Sequence, residues 1–332
     1  MLSWLQATGS PHDIGRALGR WGAAACHEHL LRSDAWASVQ RWHGSTEAAA
    51  LHAQLQRAFP WVLQELEGLA AGLELPLAEV VLWNCRGDLW AMAPDGCTTV
   101  LAPDRLTHNE DGDPGFGGRC GLVQARPDTG PAFTSFVYPG SIPGHTFAVS
   151  ETGLAMTVNN VRAHRATPGV PRMVLTRAAL ALASPAEVIA LLRAHARAGA
   201  FHLGLGRAGM GATVGVEFSH LAVTTQEVRT GTRAHANHAI HTGQQELAQT
   251  ITASSGARQR QADRLLAEGV DALAILADRR EAEPIYRDSP HDTDNENTLA
   301  TADIDLRGDT VHWRVYARPG QPQFELDGVE PR

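Results

Sequence analysis

The chain has 332 residues with 28 basic and 36 acidic side chains, and all 28 basic residues are arginine. A chain without lysine cannot be a Schiff-base aldolase, a pyridoxal-phosphate enzyme, a Walker A nucleotide binder or a Ser-Lys hydrolase. The net charge of −8 and the scattered arginines also argue against nucleic acid or an anionic membrane as the main partner.

The first residues lack the basic and apolar regions of a signal peptide, and no apolar run reaches the 18 to 20 or so residues of a membrane span. We therefore expect a cytosolic protein. The cysteines lack the CxxC spacing of a structural zinc site, and their number does not suggest a disulfide framework. One reactive thiol among buried ones is expected from the four, which are Cys26, Cys85, Cys97 and Cys120.

Helical periodicity runs from Pro11 to about Met92, and the Ser10-Pro11 pair before Asp13 is typical of a helix start. Strands are predicted next, at 98–102, 132–137, 146–149 and 154–158. Helices follow at 171–183 and 185–198, strands at 211–218 and 220–225, a helix at 259–268, and strands at 298–306 and 311–317. Because helices and strands come in blocks, stacked α and β layers are favoured over a doubly wound sheet.

Three motifs suggest cofactor or metal chemistry but lack the expected context. The GxGxxG pattern at 204–209 is followed by a strand-like segment, whereas a dinucleotide site needs a helix there. Histidines recur at 235, 238 and 241, but nearby glycines argue against one helical face, so we expect a loop with surface histidines. The acidic groups at 111–113 and 292–296 lack the rest of an EF-hand and are expected in turns. We expect no cofactor and no metal.

Cys97 stands in the segment DGCTTV at 95–100, where helical character gives way to strands. A lone cysteine at the start of a strand is usually buried and inert. The surrounding chain changes that interpretation. Matching segments run in order along nearly its whole length: GSPHDIG at 9–15 with Gly19, NCR at 84–86, DGCTT at 95–99, HNED at 108–111, YPGSIPG at 138–144, ETGLA at 151–155, NN at 159–160, VEF at 216–218, ANH at 236–238, SS at 254–255 with Arg258, IYR at 285–287 and TLAT at 298–301.

With these segments the chain resembles the penicillin acyltransferase family, the acyl-coenzyme A:6-aminopenicillanic acid acyltransferase branch of the N-terminal nucleophile hydrolases. The resemblance implies an α+β fold, the four-layer αββα sandwich. It also implies self-cleavage between Gly96 and Cys97. Residues 1–96 would form a helical small subunit and 97–332 a large subunit with two antiparallel sheets. The two fragments would stay together as a heterodimer within one combined domain.

The resemblance also implies the chemistry. The thiol of Cys97 attacks the Gly96 carbonyl, the amide becomes a thioester, and water releases the upstream segment. Glycine tolerates the strained backbone that this attack needs. The new α-amine, with a pKa near 7.7, then serves as the base for the thiol.

The remaining site residues are assigned through the same resemblance. Asn237, with the region of Asn160, would stabilise the oxyanion. Asp111 would hold the protonated α-amine, in a segment where Glu110 replaces the tryptophan of the family's Asn-Trp-Asp pattern. Arg287 would hold that carboxylate or a substrate carboxylate.

The predicted function is acyl transfer from a small amide or thioester, through Cys97, to water or a small amine. One alternative is a papain-type enzyme in which His108 or His238 is the base and no cleavage occurs. Another is a non-catalytic binding scaffold of the same fold. The sequence does not distinguish hydrolysis from transfer.

Overall fold

The computed structural model describes the whole chain except residues 91, 93, 94, 165, 166, 281 and 283, and of Asp95 it describes the backbone alone. Two β-sheets form the centre of the molecule and helices cover both outer faces. In the described part, no helix is both long enough and apolar enough to cross a membrane.

The first sheet contains eight strands within the described residues, in the order β1-β4-β5-β6-β7-β8-β9-β10. Neighbours are antiparallel, apart from the parallel pair β1 and β4 at one edge. The strands are β1 (Ser3–Gly9), β4 (Gly121–Pro127), β5 (Phe133–Val137), β6 (Phe147–Ser150), β7 (Leu154–Asn160), β8 (Phe201–Arg207), β9 (Thr213–Phe218) and β10 (Val223–Val228).

The second sheet contains seven strands in the described part, all paired antiparallel in the order β11-β2-β3-β12-β13-β14-β15. Strand β12 has a register shift between Thr298 and Ala300. The strands are β2 (Asp95–Ala102), β3 (Arg105–Gly112), β11 (Arg233–His235), β12 (Asn297–Asp305), β13 (His312–Tyr316), β14 (Phe324–Asp327) and β15 (Glu330–Pro331).

The sheets pack face to face, with β2 and β3 against β7, β8 and β9. Gly204 and Gly206 of β8 lie at this contact, where a β-carbon on Gly206 would be 2.3 Å from Leu306. The GxGxxG pattern is therefore part of a buried strand and its following turn, and its glycines permit close packing of the sheets.

The helical layer on the first sheet is formed largely by the N-terminal third. Ser10 caps the first helix, and its side chain accepts a hydrogen bond from the Asp13 amide, as predicted. The helices of this layer are α1 (Pro11–Glu28), α2 (Asp34–Gln40), α3 (Thr46–Ala58), α4 (Pro60–Leu73), α5 (Leu77–Asn84), α6 (Arg86–Leu89), α7 (Arg172–Ala179) and α8 (Pro185–Ala194). Short 3-10 turns lie at Leu30–Arg32 and Pro114–Phe116.

The opposite helical layer consists of α9 (Ala253–Ala267) and α10 (Ala272–Leu276), which pack on β11, β2 and β3. Val100 of β2 packs there with Leu265 and Ile275 in a separate apolar cluster. The order of layers is helix, sheet, sheet, helix. The predicted four-layer αββα sandwich is confirmed.

Several strands were not predicted from the sequence, namely β1, β3, β4, β8, β11, β14 and β15. Strand β1 differs most from expectation, because it lies within residues 1–96, which the resemblance implied to be a helical subunit. Its side chains are mostly half exposed at a sheet edge, so its sequence lacks the alternation that marks a strand with one buried face.

Helices α1 and α4 approach each other through glycines on both. A β-carbon at Gly15 would lie 1.9 Å from the Glu65 carbonyl oxygen, and one at Gly68 would lie 2.0 Å from the His12 carbonyl oxygen. Because these neighbours are backbone atoms, they cannot rotate away as a side chain does. The contact requires glycine on each helix.

We expect Gly68→Ala to lower the free energy of unfolding by about 1 to 3 kcal/mol, because the added methyl forces the two helices apart. Gly256→Ala in α9 is the matched control, since its β-carbon would meet only the flexible Arg260 side chain at 3.2 Å and Ile251 at 3.9 Å. That change should be neutral or stabilise by roughly 1 kcal/mol through helix propensity. Urea unfolding of both variants provides the test, and equal stabilities would contradict this description of the helix contact.

Candidate active site

Cys97 is buried in β2, where the register places it opposite Glu110 of β3 and places Gly96 opposite Asp111. Side chains alternate between the faces of a strand. Thr99 faces the first sheet and bonds to Asn159 of β7, so the Cys97 side chain lies on that same inner face. Gly96 and Thr98 belong to the other face, toward α9.

Asn237 and Arg258 hold the backbone of Cys97. The Cys97 amide donates to Asn237 Oδ1 at 2.9 Å, and Arg258 Nη2 donates to that same oxygen at 2.6 Å. Arg258 Nη1 donates to the Cys97 carbonyl oxygen at 2.5 Å and to Thr98 Oγ1 at 2.9 Å. The planar guanidinium thus connects the strand to the asparagine. Arg258 was noted in the sequence only as part of the resemblance, without a role.

Asn160 lies directly beside Asn237. Its carbonyl oxygen accepts from Asn237 Nδ2 at 3.1 Å, and its Oδ1 accepts from Arg172 Nη1 at 2.5 Å. Asn160 Nδ2 is buried and has no hydrogen-bond acceptor among the described residues. The two predicted oxyanion residues are therefore brought together, and one of their amide donors is unused.

Asp111 is fully buried, and its Oδ1 accepts from Thr298 Oγ1 at 2.7 Å. Its Oδ2 has no hydrogen-bond partner in the described part of the chain. Burial raises the pKa of Asp111, while the nearby Arg258 and Arg287 act to lower it. The expectation of a turn at 111–113 is wrong for Asp111, which lies in β3, whereas Asp113 caps the turn that follows.

Arg287 is buried in a cluster of charges next to the Gly96 backbone. Its guanidinium contacts Glu296 and Asp292, and its backbone amide donates to Thr298 Oγ1 at 3.0 Å. Asp292 accepts from the amides of Asp294 and Glu296, which confirms a turn at 292–296.

Glu296 approaches the backbone of Gly96 more closely than any side chain would allow. A β-carbon on residue 96 would lie 2.2 Å from Glu296 Oε2 and 3.0 Å from Arg287 Nη1. Burial raises the pKa of Glu296 to about 7, although Arg162 and Arg287 act to lower it. Contact with this carboxylate requires glycine at position 96, whereas the sequence indicated only a turn residue at Glu296.

On the inner face, the Cys97 thiol points to Glu110. Sγ lies 3.6 Å from Glu110 Oε2, which is also 3.1 Å from His108 Nε2. Tyr138 donates to Glu110 Oε1 at 2.8 Å. The Cys97 sulfur, a His108 ring nitrogen and a Glu110 carboxylate oxygen lie within 4.8 Å of one another. Zinc sites use these types of ligand atom. Among the described residues, this is the group of three such side chains that lie so close together.

The histidines proposed for a papain-type site are placed less favourably. His108 reaches the thiol through Glu110, and burial lowers its pKa to about 3. His238 bonds to Ser255 Oγ at 2.8 Å, and burial lowers its pKa to about 4. The Cys97 thiol donates its hydrogen bond to Glu110 Oε2 instead of to either imidazole.

The expectation of surface histidines at 235–241 is wrong for two of the three. His235 and His241 are buried, and His235 stacks on His202 with ring centroids 3.6 Å apart. Glu217 accepts from His235 Nε2 at 2.8 Å and from the Ile240 amide at 2.7 Å. These contacts fix both ends of the segment that carries Asn237. Their signal in the sequence was the VEF segment at 216–218.

A protein-family model matches the part of the chain that contains most of the site residues. The family model of acyl-coenzyme A:6-aminopenicillanic acid acyl-transferase matches residues 100–319, about two thirds of the chain. The chain belongs to this family. The acyl-transferase match includes Asp111, Asn160, Asn237 and Arg287 and begins three residues after Cys97. Membership makes the chain an enzyme of the amidohydrolase and acyltransferase class, which acts on C–N amide bonds.

Among solved structures, a variant of conjugated bile acid hydrolase from Clostridium perfringens is similar at 11% identity, with a TM-score of 0.40. The similarity covers 70% of this chain and 84% of that one. The comparison with curated protein sequences gives no match.

Buried His202 makes a pH prediction possible. Burial, followed by the nearby His235, lowers its pKa well below the ordinary 6.5. The unfolded chain therefore takes up a proton that the folded chain does not, and stability is lost as pH falls below about 6.5. We expect His202→Gln to make the dependence of unfolding free energy on pH shallower by up to about 1.4 kcal/mol per pH unit in this range.

Urea unfolding at about pH 7, 6 and 5 measures this difference in slope. The exposed His43 provides the control, because the His43→Gln change alters a ring that faces water in both states. Parallel curves for wild type and His202→Gln would contradict the buried neutral state of His202.

Proposed function

We propose that the chain cuts itself between Gly96 and Cys97 and that the Cys97 thiol then carries the acyl group. The observation that supports this best is the fixed peptide at Cys97: Asn237 holds its amide and Arg258 holds its carbonyl. A thiol that attacks the preceding carbonyl needs such a fixed backbone, because the reacting atoms must stay in contact. The close packing of Gly96 against Glu296 restricts the other side of the bond.

The fragments 1–96 and 97–332 would remain associated after the cut. Strand β1 belongs to the first fragment and pairs with β4 of the second along Ser3–Gly9. Helices α1, α4 and α5 share one apolar core with the first sheet. The proposed product is therefore a heterodimer that keeps a single core.

Once the α-amine exists, each predicted residue has a role consistent with its position. The amine, with a pKa near 7.7, takes the thiol proton and later protonates the leaving amine. Asp111 Oδ2, which lacks a hydrogen-bond partner among the described residues, would hold the ammonium form. Asn160 Nδ2 and the side-chain amide of Asn237 would stabilise the oxyanion. Arg287 would keep the carboxylates around residue 96 ionised.

The proposed reaction forms a thioester on Cys97 from a small acyl amide or acyl thioester. Water then releases the acid, or a small amine takes the acyl group. Hydrolysis and transfer share this intermediate, and the site residues serve both. The cytosolic location stays a prediction.

The first test is the intact mass of the purified protein. We expect wild type to give two fragments that part between Gly96 and Cys97, and Cys97→Ser to accumulate the 35.6 kDa precursor. Because the chain has no lysine, an amine-reactive label should modify the cut protein at the N-terminal amine of each fragment, and Cys97 carries one of these amines. A full-length wild-type chain with thiol-dependent activity would instead support the papain-type alternative.

The second test is turnover. A panel of N-acyl amino acids, β-alanyl amides, penicillins and acyl-coenzyme A thioesters should include a substrate that wild type consumes and Cys97→Ala does not. Cys26→Ala is the matched control, because burial raises the pKa of the Cys26 thiol to about 12 and keeps it unreactive. A limiting amount of iodoacetamide should alkylate Cys97 and stop turnover. Ligand binding unaffected by Cys97→Ala, without alkylation, would support the scaffold alternative.

A further inference from the structure

The self-cleavage proposed above needs a base that the processed enzyme does not use. Before the cut, the nitrogen of Cys97 is an amide that donates its hydrogen to Asn237 Oδ1 at 2.9 Å. An amide nitrogen in this state has no lone pair for a proton, because resonance delocalises it into the carbonyl. The α-amine therefore cannot activate the thiol for the reaction that creates the α-amine.

Glu110 is placed to act at this stage. Its Oε2 lies 3.6 Å from Cys97 Sγ and 3.1 Å from His108 Nε2, and its Oε1 accepts from Tyr138 at 2.8 Å. The carboxylate is buried, so its position is set by these contacts and by the strand register. It lies on the inner face of β2 and β3 with the thiol.

The proton positions in this group can be traced from a backbone atom. The carbonyl oxygen of His235 accepts from Asn159 Nδ2 at 3.1 Å, which fixes the orientation of that amide. Asn159 Oδ1 is then an acceptor, and the Thr99 hydroxyl donates to it at 2.7 Å. The hydroxyl has one hydrogen. Its oxygen must therefore accept from His108 Nδ1, 2.8 Å away.

This orientation leaves the lone pair of His108 Nε2 facing Glu110 Oε2 when the ring is neutral. Two lone pairs at 3.1 Å repel each other, so the carboxyl and the imidazole must share a proton. Because both side chains are buried away from water, the uncharged pair is favoured over an ion pair, which places that proton on Glu110 in the resting chain. The carboxyl is thus connected to the thiol on one side and to an open imidazole nitrogen on the other.

We propose that Glu110 and His108 together are the base for self-cleavage. The thiol proton moves to Glu110 Oε2 while the carboxyl proton moves to His108 Nε2, and Sγ bonds to the Gly96 carbonyl carbon. One proton then returns to the Cys97 nitrogen as the C–N bond breaks. The products are a thioester and an α-amine. Water cleaves the thioester to the Gly96 carboxylic acid and the Cys97 thiol, so no other reactant is needed.

Other groups around Glu110 are compatible with this role. Cys97 faces it from β2, His108 from its own strand, and Tyr138 from the segment after β5. Cys120 lies close enough for Glu110 to raise its pKa, which burial raises well above the ordinary value. Cys120 therefore stays protonated and does not compete as a nucleophile.

The test follows cleavage of the full chain by intact mass after cell-free synthesis at a series of pH values. Glu110→Gln keeps the shape of the side chain and removes its ability to accept a proton. We expect cleavage near neutral pH to slow by about 100-fold or more. The remaining rate should rise about tenfold per pH unit, because an unassisted thiol reacts only as its thiolate. Glu110→Asp should recover part of the rate at neutral pH.

Glu65→Gln is the matched control, because Glu65 is equally buried and is paired with Arg177 on α7, outside this group. It should cut at the wild-type rate wherever it folds, as judged by circular dichroism. If wild type cuts and Glu110→Gln matches it at every pH, the assignment of Glu110 is wrong while self-cleavage stands. If folded wild type never cuts, both proposals fall.

Discussion

The pairing of β2 with β3 is the constraint on which the site depends. Its register sets Cys97 opposite Glu110 and Gly96 opposite Asp111. A shift by one residue would turn each side chain to the other face of the sheet. The thiol would then face α9, and the buried charges around residue 96 would face the apolar space between the sheets. The hydrogen bonds between β2 and β3 therefore place the neighbouring residues Gly96 and Cys97 in two different chemical environments.

The two faces of β2 and β3 stabilise buried polar and charged side chains in different ways. On the α9 side, Arg258 and Arg287 lie next to Asp111 and Glu296, so opposite charges compensate one another out of water. On the inner side, Glu110 hydrogen bonds to the Cys97 thiol, to His108 and to Tyr138. On the first side the arginines offset only part of the cost of burying the carboxylates, since the pKa values of Asp111 and Glu296 remain raised. On the second side hydrogen bonds connect the thiol, the carboxyl group and the imidazole.

Stacked α and β layers and the strand that carries Cys97 were predictable from local periodicity, whereas the order of the four layers was expected only through the family resemblance. The resemblance placed Asn237 in the site as an oxyanion donor, but it did not predict the hydrogen bond from the Cys97 amide. Glu296 was noted only as part of an acidic turn, and its pairing with Arg162 gave no signal because the two residues lie 134 positions apart. Glu110 was noted only as a departure from a family pattern. Its partners come from β2, β3 and the end of β5, which local sequence cannot relate.

The parallel pairing of β1 with β4 has a consequence for how the protein can be made. The strand is donated by the segment that the proposed cut detaches, yet it completes a sheet of the other segment. Folding of the intact chain is a unimolecular process, whereas refolding of the cut protein would require two chains to meet and would depend on concentration. Synthesis and the proposed cut would then follow each other in one direction only. The cut protein would stay folded because its unfolding is slow, and its lifetime would depend little on refolding.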